Sequence, residues 1–164
     1  MPIKVYNVFV KRMEEKLRFI IQRTKNANVK VNQEVVGKID KGFTVLIGIS
    51  EQDDEKIADK MTDKMLKLRI FEDENGKTNL SLKDVEGKLL MISQFTLYAN
   101  CKRGNRPSFI EAGSPDKANN LYEYIMKRCE DQGYHVERGI FGEDMKVELI
   151  NDGPFTIILD SEKL

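Results

Sequence analysis

Tryptophan is absent from the 164 residues, histidine occurs once, at His135, and cysteine twice, at Cys101 and Cys129. Each scarcity removes a class of chemistry. A lone histidine gives a Ser-His or Cys-His mechanism one candidate base and no second. His135 follows Gly133 and Tyr134 and opens a short β-prone stretch, so it reads as a surface or edge residue rather than a base. The two cysteines are far apart, with no C-x-x-C spacing and no histidine companion, so neither a zinc site nor a disulfide framework is suggested. They read as reduced, structural thiols, and no metal or cofactor is implied. Basic and acidic residues balance at 27 each, which removes the bulk positive field of a protein that coats nucleic acid non-specifically. Any RNA contact then falls to a local patch. No apolar run approaches the roughly 20 residues needed to cross a bilayer. Lys4, Asn7, Lys11 and Arg12 interrupt any signal-peptide core, so the expectation is a cytosolic protein.

What is present is enough apolar sequence for one core. Hydrophobic residues make up 40% and aromatics 8%, so the core rests on Ile, Val, Leu, Met and Phe, in a chain too short for two comfortable domains. Residues 17–23, 28–31, 34–39 and 43–49 carry branched side chains between turn signals and predict a meander of antiparallel strands. After Asp53-Asp54, the positions Ile57, Ala58, Met61, Met65 and Leu68 recur at helical spacing and predict an amphipathic helix to about Arg69. Asn75-Gly76 is a two-residue turn signal. Residues 88–97 predict a mostly apolar, buried strand. Ser114-Pro115 offers an N-cap and a first-position proline to a second helix that ends near Gln132. Its apolar stripe takes in Cys129, which reads as packing. Two final strands, 146–150 and 155–160, flank Asn151-Asp152-Gly153-Pro154. Strands in blocks with two inserted helices imply an α+β fold, a curved and largely antiparallel sheet or barrel with both helices outside.

Three stretches carry candidate chemistry. Ser93-Gln94-Phe95-Thr96 ends a buried strand, where backbone N–H groups and polar side chains can turn into a cleft; hydroxyls at strand ends also commonly bond their own backbone. Gly153-Pro154 before an apolar strand is an ordinary turn signal unless its peptide bond is cis, which few X–Pro bonds are. Lys102, Arg103 and Arg106 share one short loop with Gly104 and Asn105, and suit either phosphate contacts or plain solvation.

Taken in order and spacing, several segments resemble the D-aminoacyl-tRNA deacylase family. They are Ile21-Gln22-Arg23, Leu68-Arg69-Ile70-Phe71, Asn75-Gly76-Lys77, Ser93 to Leu97, Gly104 to Phe109, Phe141 to Met145 and Asn151 to Thr156. They span Leu17 to Asp160. The family pattern normally begins with Met-Arg where Leu17-Arg18 stands here, so residues 1–16 are expected to be an extension and 17–164 the single deacylase domain. The resemblance implies a barrel-like sheet with outer helices, assembled as a homodimer with active sites at the subunit interface. It implies that Gly153-Pro154 matches a Gly-cisPro motif reaching into the partner's pocket, and that Arg23 helps hold it. Ser93 and Met145 join these three as expected substrate contacts, and Lys102, Arg103 and Arg106 as expected tRNA contacts.

The activity so implied is hydrolysis of the ester between a D-amino acid and tRNA, and of glycine mischarged on tRNA(Ala), with L-aminoacyl-tRNA rejected. With one poorly placed histidine and no metal site, backbone donors at Phe95 and Thr96 are the resource left to stabilise an oxyanion, and Gln94 is the group to orient the terminal adenosine. Two sources of the nucleophile stay open: the Thr96 hydroxyl, or water assisted by the neighbouring 2′-hydroxyl of the tRNA. The second is favoured, because a threonine hydroxyl with no base is a poor nucleophile at neutral pH. A non-catalytic RNA- or protein-binding dimer of the same fold is the alternative from another class.

Overall fold

A computed structural model describes residues 16–164; the extension expected over 1–16 falls, Lys16 excepted, outside them. The elements run β1 (Arg18–Val31), β2 (Glu34–Ile39), β3 (Gly42–Gly48), α1 (Glu55–Lys67), β4 (Arg69–Glu72), β5 (Thr78–Ser81), β6 (Lys88–Ser93), a 3₁₀ turn (Phe95–Tyr98), α2 (Pro115–Asp131), β7 (Val136–Arg138), β8 (Met145–Asp160) and a closing 3₁₀ turn (Ser161–Lys163).

β1 is the spine. One edge pairs antiparallel with β8 from Arg18↔Asp160 to Val31↔Met145. The other pairs with β3 over its first half and with β2 over its second. Register shifts between Gln22 and Thr24 and between Thr24 and Asn26 bend the strand at its middle. The two strands expected over 17–23 and 28–31 are therefore one, and so are those expected over 146–150 and 155–160. β3 and β6 run parallel, as do β6 and β7. Parallel neighbours need long crossovers, and here α1 with the β4–β5 hairpin fills the first and α2 the second. The sheet is thus mixed, antiparallel around β1 and parallel beyond β3. Its far edges nearly meet: Lys38 N donates to Glu137 Oε1 at 3.4 Å, and a Cβ on Gly37 would stand 2.6 Å from the Arg138 carbonyl oxygen. This is a curved, almost closed barrel with two helices outside.

Period-2 alternation sorts the two faces of the central strands. Phe43, Val45, Ile47, Leu89 and Met91 point outward and pack under α1 and α2 with Phe19 and Ile21. Leu90 and Ile92 point inward to Ala27, Val29 and Ile39. Both faces of β6 are buried, which is why its sequence is a continuous apolar run. Asp54 caps α1, accepting from Ile57 N at 2.9 Å. Pro115 does stand at the start of α2, but the Ser114 side chain caps nothing; its backbone N–H donates instead to Glu51 Oε2 at 2.8 Å. Cys129 is buried in the outer core, and burial pushes its thiol up to about 12, as suits a packing residue.

Gly42 opens the β3–β6 pairing opposite Lys88. A Cβ there would lie 1.8 Å from the Lys88 carbonyl oxygen, a backbone atom that cannot swing aside. Gly42→Ala is expected to cost about 2 kcal/mol or more of stability, read as a lowered unfolding midpoint in urea. An unchanged midpoint would contradict this register.

Candidate active site

The carboxyl ends of parallel β3 and β6 meet at one rim of the barrel. β6 stops at Ser93, four residues short of the strand expected to Leu97, because Gln94 N donates to Ile47 O at 2.8 Å and the chain then curls into the 3₁₀ turn. The first bond at that turn runs from Leu97 N to Gln94 O at 3.3 Å, and Ala99 N closes it on Thr96 O at 3.1 Å. The N–H groups of Phe95 and Thr96 precede the first bond, like the opening donors of any helical turn. Both residues are exposed. Gln94 Nε2 donates to Thr96 Oγ1 at 2.6 Å, so the amide fixes the hydroxyl beside those donors.

The turn lies directly on β3. A Cβ on Gly48 would come within 2.9 Å of Leu97 Cβ, so only glycine allows this approach. Arg18 fastens it from β1: Nη1 donates to Leu97 O at 2.9 Å, Nε pairs with Asp160 at 3.1 Å, and the guanidinium lies 5.4 Å from the Tyr98 ring centre. The single Tyr98 hydroxyl proton is shared between Gly48 O, at 3.1 Å, and Lys16 O. Burial, then the nearby Asp53 carboxylate, raise its phenol well above the ordinary range, keeping it a neutral donor. These anchoring residues were not singled out by the sequence; a glycine at the end of an otherwise apolar strand, opposite an aromatic turn, is the signal that points to them.

A second constellation gathers around Arg23, which is only 3% exposed. Its Nε donates to Asp152 O at 3.0 Å, Nη2 to Gly153 O at 3.3 Å and Nη1 to Ile70 O at 2.6 Å. The Asp152 carboxylate lies 3.3 Å from Nε, and the Phe155 ring centre is 4.5 Å from the guanidinium carbon. The Gly153–Pro154 peptide bond is cis. A planar fork with five donors suits two successive carbonyls in a way an ammonium does not.

Within one chain the two constellations stay apart. Ser93 pairs with Ile47, which pairs with Phe19, whereas Gly153 falls opposite Arg23 in the gap between the Gln22↔Thr156 and Thr24↔Asn151 pairs. That is about 13 Å along the strands and three strand spacings, about 14 Å, across them. Met145 is half-buried at the start of β8 against the inner core, and its sulfur occupies the space a Cβ on Gly139 would need. Gly139 N donates to Met91 O at 3.4 Å, two residues along β6 from Ser93. Lys102, Arg103 and Arg106 are fully on the surface and form no ion pair with the described residues. His135 bonds through its carbonyl to Leu89 N at the opposite end of β6, and its ring faces Glu137 at 3.5 Å. It is remote from the turn.

Replacing Arg23 by Met would leave three carbonyls and the Asp152 carboxylate without their donor, at an expected cost of about 3 kcal/mol. Arg23→Lys should recover part of this. Urea unfolding of the three proteins gives the ranking, and equal midpoints would remove the clamp from the account.

The family described as D-Tyr-tRNA(Tyr) deacylase matches residues 20–160. The D-aminoacyl-tRNA deacylase of Lactobacillus acidophilus is 56% identical over 144 residues, covering 88% of this chain and 99% of that one. That of Clostridium perfringens is 50% identical over 147 residues, with 90% and 99% covered. Among solved structures, the c-Myc DNA Unwinding Element Binding Protein superposes with a TM-score of 0.81 at 37% identity, over 87% of this chain and 97% of that one. A probable eukaryotic D-amino acid tRNA deacylase superposes with a TM-score of 0.76 at 19% identity, over 88% and 99%, a likeness of fold. With a match across most of its length and relatives at half identity or more, this chain belongs to the D-Tyr-tRNA(Tyr) deacylase family.

Proposed function

We propose that the protein hydrolyses the ester linking a D-amino acid to the 3′ end of tRNA, releasing both. The observation that carries this reading is the exposed turn after β6, where the Phe95 and Thr96 N–H groups stand beside a Thr96 hydroxyl held by Gln94. Water adds to the ester carbon, negative charge develops on the carbonyl oxygen, and the bond to the ribose oxygen breaks as that oxygen takes up a proton. The two N–H groups receive the developing oxyanion, a role in which one donor is typically worth about 3–4 kcal/mol. Thr96 Oγ1 accepts from Gln94 and His135 is remote, so among the described residues the hydroxyl is bonded to no base that could take its proton. The tRNA's own 2′-hydroxyl, next to the scissile ester, assists the water instead. Lys102, Arg103 and Arg106 supply phosphate contacts.

The active unit is a homodimer. Its support is the separation of the two constellations within one chain, together with the unpaired outer edge of β8, which pairs only with β1 among the described strands. Ile158, on that edge strand, is 65% exposed, and Ile150 is exposed as well. A long apolar edge is a surface that folded proteins cover. The 152–154 turn of one copy then faces the Phe95–Thr96 turn of the other. Main chain held by Arg23 forms a steric gauge there: a D side chain points to open space, an L side chain is driven into backbone, and glycine has nothing to reject. Glycine mischarged on tRNA(Ala) is cleaved for that reason. The location is the cytosol, among tRNAs, and residues 17–164 suffice for activity.

The test is deacylation of matched D-tyrosyl-, L-tyrosyl- and glycyl-tRNA. The D and glycyl substrates should turn over, and the L substrate should not. Equal hydrolysis of both tyrosyl esters would overturn the gauge, and none of any substrate the function itself. Thr96→Ala should lower kcat by about tenfold, the worth of one hydrogen bond near 1.4 kcal/mol. A fall to the uncatalysed rate with the fold intact would make Thr96 the nucleophile.

A further inference from the structure

Two phenylalanines stand in the open beside the turn. Phe95 is 55% exposed and Phe109 36%, whereas Phe19, Phe43, Phe71, Tyr98 and Tyr122 are buried. Their ring centres lie 5.2 Å apart at an interplanar angle of 74°, an edge-to-face pair. The pair fixes the two rings relative to one another, and both residues remain exposed to solvent. Neither ring is on a loose segment. Phe95 opens the 3₁₀ turn fastened by Ile47 and Arg18. Phe109 follows the Asn100–Ser108 bridge, whose two bonds measure 2.7 and 3.0 Å, and its carbonyl accepts from Ala112 N at 3.1 Å. Gly113 N then ties the same loop to Ile49 O at the end of β3, at 2.9 Å. The bridge closes off residues 101–107, so Lys102, Arg103 and Arg106 are held in a short loop next to the aromatic pair, with Gly104 at φ +67° letting it turn. Glu111, also exposed, is the acidic residue of this stretch. Ile110, 89% exposed, stands on the rim.

Fixed aromatic faces beside uncompensated positive charge are what single-stranded nucleic acid meets on its binding proteins: bases stack on rings while cations follow the backbone. We propose that Phe95 and Phe109, with the 101–107 loop, form a stacking surface for the unpaired nucleotides that precede the aminoacylated adenosine at the tRNA 3′ end. This rests on the function proposed above and adds how the substrate's leading strand is held. The ester carbonyl sits on the Phe95 and Thr96 N–H groups, so the strand delivering it must leave past the Phe95 ring, and Phe109 is the next flat surface in its path. Stacking is tolerant of base identity because every base has a π face. Such a surface suits an enzyme that serves many tRNAs alike and reads the amino acid rather than the nucleotide sequence.

The experiment compares kcat/KM on D-tyrosyl-tRNA with that on the D-tyrosyl ester of adenosine, which lacks the preceding nucleotides. The readout is the ratio of the two. Phe109→Ala and Phe109→Leu should each lower this preference for tRNA about tenfold, within the range of one lost base–aromatic stack. The loss should appear in KM, and Phe109→Tyr, which keeps the ring, should restore it. An unaltered ratio in the alanine and leucine variants would overturn the proposal. So would an equal loss on both substrates, which would make Phe109 a support of the turn, or a loss of dimer in sedimentation, which would assign the surface to a second copy. If the wild-type protein deacylates neither substrate, the proposed function falls instead. Binding of uncharged tRNA by the same variants then still decides the surface: weakening by alanine and recovery by tyrosine supports it, and equal affinities overturn it.

Discussion

A single buried guanidinium sets the geometry on which the rest of the site depends. Removing a charge from water is expensive unless its donors are satisfied, and Arg23 meets that condition by donating to the carbonyls of Ile70, Asp152 and Gly153 beside the Asp152 carboxylate and the Phe155 ring. These acceptors come from different parts of the chain: the β4–β5 hairpin through Ile70, and the turn in β8 through Asp152 and Gly153. Arg23 lies where the β1–β8 ladder shifts register. The hydrogen bonds missing from the ladder at that point are replaced by side-chain bonds, and the β8 turn keeps a fixed shape although no described strand covers its outer side.

The opposite rim is organised by ladder ends rather than by charge. Parallel β3 and β6 finish together, Gly48 removes the side chain that would hold the next segment away, and the chain curls into a turn whose first N–H groups, on exposed residues, precede its first hydrogen bond. Arg18 locks that turn onto β1 and Asp160. The two ends of β1 chemistry, Arg18 at the turn and Arg23 at the clamp, are five residues apart on one strand. The spine therefore fixes both halves of the proposed machinery while keeping them apart within the chain, and the proposed dimer is the arrangement that brings them together.

Much of this was legible in the residues. The helices follow from the spacing of Ile57, Met61 and Met65 and of Leu121, Ile125 and Cys129, and β6 from its unbroken apolar run. The continuity of β1 was hidden because Lys25 and Asn26 are exposed and polar and resemble a loop, while the pairing of Thr24 and Asn26 on either side of the register shift is supplied by β8 from far along the chain. β8 was split at Gly153-Pro154, which reads locally as a stop; the strand continues because Arg23 and β1 hold both sides of the turn. The 3₁₀ turn was hidden by the strand-like composition of Phe95 to Tyr98, since the Gly48 approach that bends it is a tertiary fact. Ser93 to Thr96, Arg23 and Gly153-Pro154 were individually visible, but the anchors Arg18, Gly48 and Tyr98 were not, and the Gln94–Thr96 bond and the Phe95–Phe109 pair arise only from the folded chain.

In the proposed dimer the 152–154 turn of one copy meets the Phe95–Thr96 turn of another. Oxidative cross-linking of a Thr96→Cys, Pro154→Cys protein, made in a Cys101→Ser background so that no other exposed thiol competes, addresses it directly. A covalent dimer is expected on non-reducing gels, formed also when the two single-cysteine proteins are mixed and allowed to exchange subunits. A link within one chain, or no link at all in a protein that folds and deacylates, would contradict it.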